Sequence, residues 1–233
     1  MPRHDSASPT NSLESTGPRS RALRRRQSRA STARRLPVRT LRVLAVLDFT
    51  DPPIWRRLEL ASDLRLDELH AVLQAAFEWE GGHLHQFSTS DRAWDDGSTT
   101  DLGGGPLGRG PAPEPESKTR LSQVLATVGD RLDYLYDFGD SWEHVLTLEE
   151  IVEATTGAPR ARVVDGERAA PPEDCGGVPG YEELVDALAD PGRPGHRDLV
   201  EWYEEGYGGT LGDFDPVGVD IETLDRAVRQ VVA

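Results

Sequence analysis

Tyr134-Leu135-Tyr136-Asp137-Phe138-Gly139-Asp140-Ser141-Trp142-Glu143-His144 reads as a strand, a tight loop and a second strand. Leu132, Tyr134, Tyr136 and Phe138 alternate onto one side of the first strand, and Trp142, His144, Leu146 and Leu148 onto one side of the second. A two-residue Gly139-Asp140 turn sets Tyr136 against Glu143 and spoils both faces. A three-residue loop, Gly139-Asp140-Ser141, pairs Phe138 with Trp142, Tyr136 with His144 and Tyr134 with Leu146. A slip of one residue flips every side chain, so the pattern selects this second register. His144 then lies on an apolar, aromatic face, where a core histidine is the first expectation. Asp137 falls opposite Glu143 on the other face, which is expected to be solvated because opposed carboxylates repel. Asp137-Phe138-Gly139 also spells the magnesium-binding tripeptide of protein kinases, but it sits in a hairpin with no companion motifs, so the match is chance.

Upstream, Thr40 to Phe49 alternates as a first strand, Asp51-Pro52-Pro53 marks a turn, and Ile54 to Leu60 returns as a second strand. Leu66, Leu69, Leu73, Ala76 and Phe77 fall on one helical face, with Asp63 as the expected N-cap and Gly81-Gly82 as the stop. His83 to Ser90 reads as a third strand. From Asp95 to about Ser117 the chain is rich in Gly, Pro, Asp and Thr and reads as a long flexible loop. Its glycines lack the Gly-Lys-Ser/Thr of a phosphate loop. Leu121 to Val128 suggests a short helix. Downstream, Tyr181–Ala189, Arg197–Tyr203 and Ile221–Val232 show helical spacing, the last with Asp220 as N-cap. The predicted fold is α+β: a mostly antiparallel sheet of about five strands, one helix between strands and a helical C-terminal part.

Charge divides the chain. Residues 1–40 hold ten arginines against Asp5 and Glu14, whereas the rest holds 16 of the 26 basic groups and 39 of the 41 acidic ones. The start, about 1–38, cannot bury enough apolar surface to order itself and is expected to be a disordered basic arm, followed by a single domain over 39–233. With 25 arginines, Lys118 as the lone lysine and abundant Ala, Gly, Asp and Pro, the composition is that of a GC-rich genome. In such a genome the arm is either a solvated tail or the product of a start placed upstream of the native one. Residues 19–39 offer the one nucleic-acid contact the charge allows, since the acidic body repels phosphates. The Arg- and Ser-rich start also mimics a targeting peptide. No apolar run approaches the roughly 18 residues needed to span a bilayer. Cys175 is alone and cannot form an intramolecular disulfide, which suits a cytoplasmic location.

Several segments together resemble the plasmid pRiA4b ORF-3 family, also grouped with TnpR-like passenger proteins of insertion sequences. They are Pro52-Pro53-Ile54-Trp55-Arg56-Arg57, Leu69-His70, His83-Leu84-His85-Gln86-Phe87, Tyr136 to His144, Pro171 to Gly177 with Gly180-Tyr181, and Phe214-Asp215-Pro216. They span about Leu41 to the C-terminus, and the resemblance implies a single α+β domain without an established activity. Similar members carry further cysteines at positions held here by Val163 and Ala170. If those thiols bind a metal there, this chain lacks two of three ligands, and no structural thiolate zinc site is implied. The TnpR label suggests recombination, which needs a nucleophilic serine amid arginines; the matching segments are acidic, so that activity is not carried over.

Three functions follow. The first is a non-catalytic interaction or regulatory domain with an acidic surface suited to a basic protein partner, its candidate cleft formed by Tyr136, Asp137, Asp140, Trp142, Glu143, His144 and Asp174. The second is a metal-binding protein or metal-dependent hydrolase. Its divalent ion would be held by His83, His85, His144 and Cys175 with nearby carboxylates, since His83 and His85 are two apart on one predicted strand face. The third is nucleic-acid contact through the arm.

Overall fold

The structure, a computed structural model, describes residues 37–98, 113–207 and 210–233. The basic arm, with its nucleic-acid and targeting readings, lies almost wholly outside the described residues, as does the middle of the loop expected at 95–117.

The strands are β1 (Arg39–Leu47), β2 (Ile54–Ala61), β3 (His85–Ser88), β4 (Ala93–Asp95), β5 (Glu114–Pro115), β6 (Arg131–Tyr136), β7 (Trp142–Glu153) and β8 (Ala161–Glu167). They form one eight-stranded sheet in the order β5-β4-β3-β6-β7-β1-β2-β8. Only the β4–β5 pair is parallel. The helices are α1 (Leu66–Ala76), the single turn α2 (Leu121–Val124), α3 (Gly177–Ala189), α4 (His196–Tyr207) and α5 (Ile221–Val231). The α+β class and the mostly antiparallel sheet match expectation; the strand count of about five does not. β4 and β5 are too short to show a period, and β8 loses its alternation at Asp165-Gly166. The ends of the expected flexible loop are ordered, since Glu114–Pro115 pairs with β4 and a 3-10 turn, Glu116–Lys118, follows.

The hairpin register is corrected by two residues. Tyr136 faces Trp142, Tyr134 faces His144, Leu132 faces Leu146, and Glu143 faces Leu135 rather than Asp137. Phe138 leaves the strand instead of pairing with Trp142. A shift of two residues preserves every face, so alternation excludes odd slips but cannot separate these two registers. Loop chemistry decides. Asp137 and Ser141 both take left-handed backbone, with φ of 54° and 56°. The Ser141 amide donates to the Asp137 carbonyl at 2.6 Å, and the Gly139 amide donates to Asp137 Oδ1 at 2.8 Å. Asp137 thus closes a loop running from 137 to 141 and takes no part in the ladder.

One sheet face carries Leu41, Val43, Ala45, Leu47, Leu132, Tyr134, Tyr136, Trp142, His144, Leu146 and Leu148, all buried. α1 packs on it through Leu66, Leu69, Val72, Leu73 and Ala76, with α5 alongside. The N-cap falls two residues after its expected position: Arg65 holds it, its amide donating to Glu68 Oε2 at 2.8 Å, while Asp63 faces Arg160 at 3.7 Å. It ends at Ala76, before Gly81-Gly82. Asp220 caps α5 as expected, accepting from the Thr223 amide at 3.1 Å. The other sheet face is polar, with Arg42 paired to Glu59 and Glu150, and Arg57 to Glu149 and Asp165. A second, smaller core joins Leu184 and Ala187 of α3, Leu211 and the inner side chains of α4.

Leu73 has no exposed surface. Leu73→Ala should therefore cost about 3 kcal/mol of unfolding free energy in a urea titration, with an unchanged slope.

Candidate functional site

Three chain segments meet beside the hairpin end: Trp79 to His85, the loop 137–141, and Pro171 to Gly177. Aromatic packing builds the floor. Trp79 stacks on Tyr136 at 5.1 Å and meets His144 edge-on at 5.3 Å, and Phe77 meets His144 edge-on at 4.7 Å.

Polar side chains pin the 171–177 segment to this floor. Trp79 Nε1 donates to the Pro171 carbonyl at 2.9 Å, and the Glu80 amide donates to Glu173 Oε2 at 3.0 Å. The Tyr136 hydroxyl donates to Glu173 Oε1, and the Tyr207 hydroxyl donates to the Glu173 carbonyl. Burial, and then the Glu173 carboxylate, push the Tyr136 phenol well above its usual range. Asp140 Oδ2 accepts from the Gly176 amide at 3.1 Å. Glycine is required here by contact: a Cβ on Gly180 would sit 1.7 Å from the Cys175 carbonyl oxygen, and one on Gly177 would sit 2.5 Å from that of Asp140. This explains the Cys-Gly-Gly run and the glycine before Tyr181 in terms of close approach.

At the rim, His83 lies between two carboxylates. Its Nδ1 is 3.6 Å from Asp137 Oδ2 and its Nε2 is 3.3 Å from Asp174 Oδ1. One ligand atom from each of the three residues falls within 4.8 Å of the others, the one such group of histidine, cysteine and carboxylate side chains among the described residues. Asp137 is nearly buried, whereas the Asp174 side chain is 71% exposed, leaving one side open to solvent.

The other named residues lie elsewhere. His85, the first residue of β3, is buried, with Nε2 2.9 Å from Glu116 Oε2. Its ring stacks on His70 at 3.6 Å with the planes 6° apart. His70 Nδ1 in turn lies 2.8 Å from the Tyr134 hydroxyl, which also accepts from Gln74 Nε2 at 2.8 Å. Burial, then the neighbouring His85, lowers the His70 pKa to about 4. His144 is fully enclosed; burial lowers its pKa to about 3, and Nδ1 lies 3.2 Å from the Trp142 carbonyl. Burial, then Asp140, pushes the Cys175 thiol up to about 12. His83, His85, His144 and Cys175 therefore do not gather around one point; His83 instead joins Asp137 and Asp174 from the candidate cleft. Glu143 points to solvent, Trp142 is core, and Val163 and Ala170 are buried in the main core.

Sequence reasoning passed over Trp79, Glu173, His70, Glu116 and Tyr207. Glu173 was legible beside Asp174 in Pro-Pro-Glu-Asp. Tyr207 and Glu116 carry no local signal, because their partners lie 34 and 31 residues away.

One borderline imidazole with two hard carboxylates suits manganese or zinc better than magnesium, which prefers oxygen ligands alone.

The sequence profile of the plasmid pRiA4b ORF-3-like protein family matches residues 39–223. The uncharacterized protein y4hQ of Sinorhizobium fredii (strain NBRC 101917 / NGR234) is 33% identical over 193 residues, covering 83% of this chain and 92% of that protein. The crystal structure of a protein of unknown function, MM3350, from Methanosarcina mazei Go1 is similar with a TM-score of 0.68 at 30% identity, covering 81% of this chain and 97% of that one. The profile match begins at the first residue of β1 and ends in the first turn of α5.

Proposed function

The chain belongs to the plasmid pRiA4b ORF-3-like family, and from that premise we propose that it is a binding domain, regulatory rather than catalytic, that takes up a divalent cation at His83, Asp137 and Asp174. The observation that carries this is the convergence of three ligand atoms from three separate segments within 4.8 Å. The regulatory half of the proposal draws on the protonation states. The Cys175 thiol is held far from thiolate, the Tyr134 and Tyr136 phenols are held protonated, and His70 and His144 are buried neutral. A nucleophile needs a depressed pKa or an adjacent base, and a general base needs one near the working pH. These groups are placed for structure instead. No helix of the described residues is long and apolar enough to cross a membrane.

A bound ion would tie the segment 171–177 to the hairpin, stabilising the fold by mass action. At a hundredfold excess over the dissociation constant the gain is about 2.7 kcal/mol, or roughly 5–10 °C in melting temperature for a domain of this size. Manganese or zinc should raise the melting temperature and a chelator reverse it. Asp174→Asn, at an exposed position, should abolish the rise while leaving the metal-free melting temperature within about 1 °C. Because only neutral imidazole ligates, the gain should fade in acid. A melting temperature indifferent to manganese, magnesium and zinc alike would sink the proposal.

A further inference from the structure

Glu173 is held from two directions. The Tyr136 hydroxyl and the Glu80 amide hold its carboxylate, while the hydroxyl of Tyr207, the last residue of α4, donates to its carbonyl. That carbonyl belongs to the peptide unit that runs into Asp174, which takes a left-handed backbone with φ of 57°. A side chain makes this conformation costly, so it persists only where neighbours over-determine it. Tyr207 fixes the peptide plane on the N-terminal side of Asp174 and so helps to aim its carboxylate at His83. Burial, then Cys175, Glu173 and Asp174, push the Tyr207 phenol above its usual range, in keeping with a ring set against this segment.

Little else holds α4 in place. None of its residues is fully buried, and Leu199, Val200, Trp202 and Tyr203 pack only partly on the small second core. Glu201 meets Glu204 and Glu205 at i,i+3 and i,i+4 spacing, which destabilises a helix. The last turn has no basic residue to complement the helix dipole, and it contains Gly206, a weak helix former. Tyr203 stacks on Tyr207 at 5.1 Å and meets Phe214 at 6.1 Å, so the ring side of the helix faces the second core and the 171–177 segment. A helix held this way can open locally while the main sheet stays folded.

Given a cation at His83, Asp137 and Asp174, the reading on which this inference rests, we propose that its binding is coupled to the docking of α4, with Tyr207 as the link. The ion needs Asp174 in the conformation that the Tyr207–Glu173 hydrogen bond supports, so the bound ion and the docked helix favour the same arrangement. Such coupling is reciprocal: the ion tightens α4, and the docked α4 tightens the ion by the same factor. Without the ion the last turn of α4 releases more often, baring the Trp202, Tyr203 and Tyr207 rings. Occupancy of the ion site then sets how much aromatic surface the domain exposes.

The test adds manganese alone to the full chain. Binding is read from the electron paramagnetic resonance of free manganese, and α4 from hydrogen–deuterium exchange of peptides covering 196–207, over times too short for the central sheet to exchange. Saturating manganese should slow exchange in α4 at least about threefold, a modest coupling. Tyr207→Phe keeps the ring and removes the tether. It should weaken manganese by about two- to fivefold, within the worth of one hydrogen bond, and at equal saturation it should remove most of the α4 response. Tyr203→Phe deletes a hydroxyl that is not among the partners of Glu173 and should behave as wild type. Manganese binding that Asp174→Asn abolishes but α4 ignores overturns the coupling and leaves the cation reading standing. No manganese binding overturns both. Equal loss of affinity in Tyr207→Phe and Tyr203→Phe overturns the role of Tyr207 as the link.

Discussion

Arg56→Ala is expected to destabilise the fold by about 5 kcal/mol, the upper end of what breaking a buried charged network costs. Arg56 has no exposed surface. Its Nε donates to the Ala76 carbonyl at 2.9 Å, capping the end of α1, while Nη1 donates to the carbonyls of Trp55 at 2.9 Å and Glu167 at 3.1 Å. The guanidinium carbon lies 5.2 Å from the Phe77 ring centre. One side chain thus joins α1 to β2 and β8. Burial lowers its pKa to about 10, so it stays charged at neutral pH. Gly166 makes room for it, since a Cβ there would sit 2.9 Å from Arg56 Cδ. Alanine would leave three carbonyls without this donor, at about 1–3 kcal/mol for each one left unsatisfied, and a cavity besides. Arg56→Met separates the two effects, because it keeps most of the volume and removes every donor. Urea unfolding should rank wild type above Met and Met above Ala. A Met variant as stable as wild type would show that shape alone matters at this site.

The second large effect is acid sensitivity. His144 and His70 are buried neutral, with folded-state values near 3 and 4 against an unfolded value near 6.5. Both folded values are depressed, so the unfolded chain binds more protons between them and 6.5. Stability is then fully present above about pH 6.5 and is lost as pH falls toward 4. Each group contributes up to about 1.4 kcal/mol per pH unit, so the two together approach about 2.7 within that window. The free energy of unfolding, measured in urea at half-unit steps from pH 7 to 4.5, should fall with that slope. Glu116, Asp96, Tyr134 and Gln74 surround the His70–His85 stack, and Phe77, Trp79 and Tyr134 surround His144; none of these places a carboxylate against His144. His144→Phe should therefore remove about half of the slope. A slope unchanged in that variant would show that His144 gains a proton without unfolding.

The candidate site was partly legible. Asp137, Asp140 and Asp174 stand in loop segments whose glycines and turn residues announce a special backbone, and each takes part in the junction. The imidazole that joins Asp137 and Asp174 was in view, but its companions were misjudged. His83 and His85 look equivalent by their two-residue spacing, yet β3 starts only at His85. His83 is thereby left in the connecting segment to face the rim, while His85 turns into the core against His70 and Glu116. Spacing describes a pair of ligands only if the strand includes both, and where a strand starts is the least certain thing a local pattern conveys.

By itself the sequence determined the α+β class, the central strands, α1 and α5, and the face on which Tyr134, Tyr136, Trp142 and His144 would lie. These follow from periodicity, which acts over a few residues and is written wholly in local order. Tertiary structure alone decided the even hairpin shift, the added strands β4, β5 and β8, the burial of Arg56 and the meeting of His83 with Asp137 and Asp174. Each of these depends on contacts between residues distant in sequence: the Leu84 carbonyl accepting the Asp137 amide at 2.9 Å, β8 joining β2, or the Glu167 carbonyl accepting from Arg56. Alternation cannot choose between registers two residues apart, and strands of two or three residues have no period to read. Only the hydrogen bonds that close the loop, and the strand lying alongside, could choose.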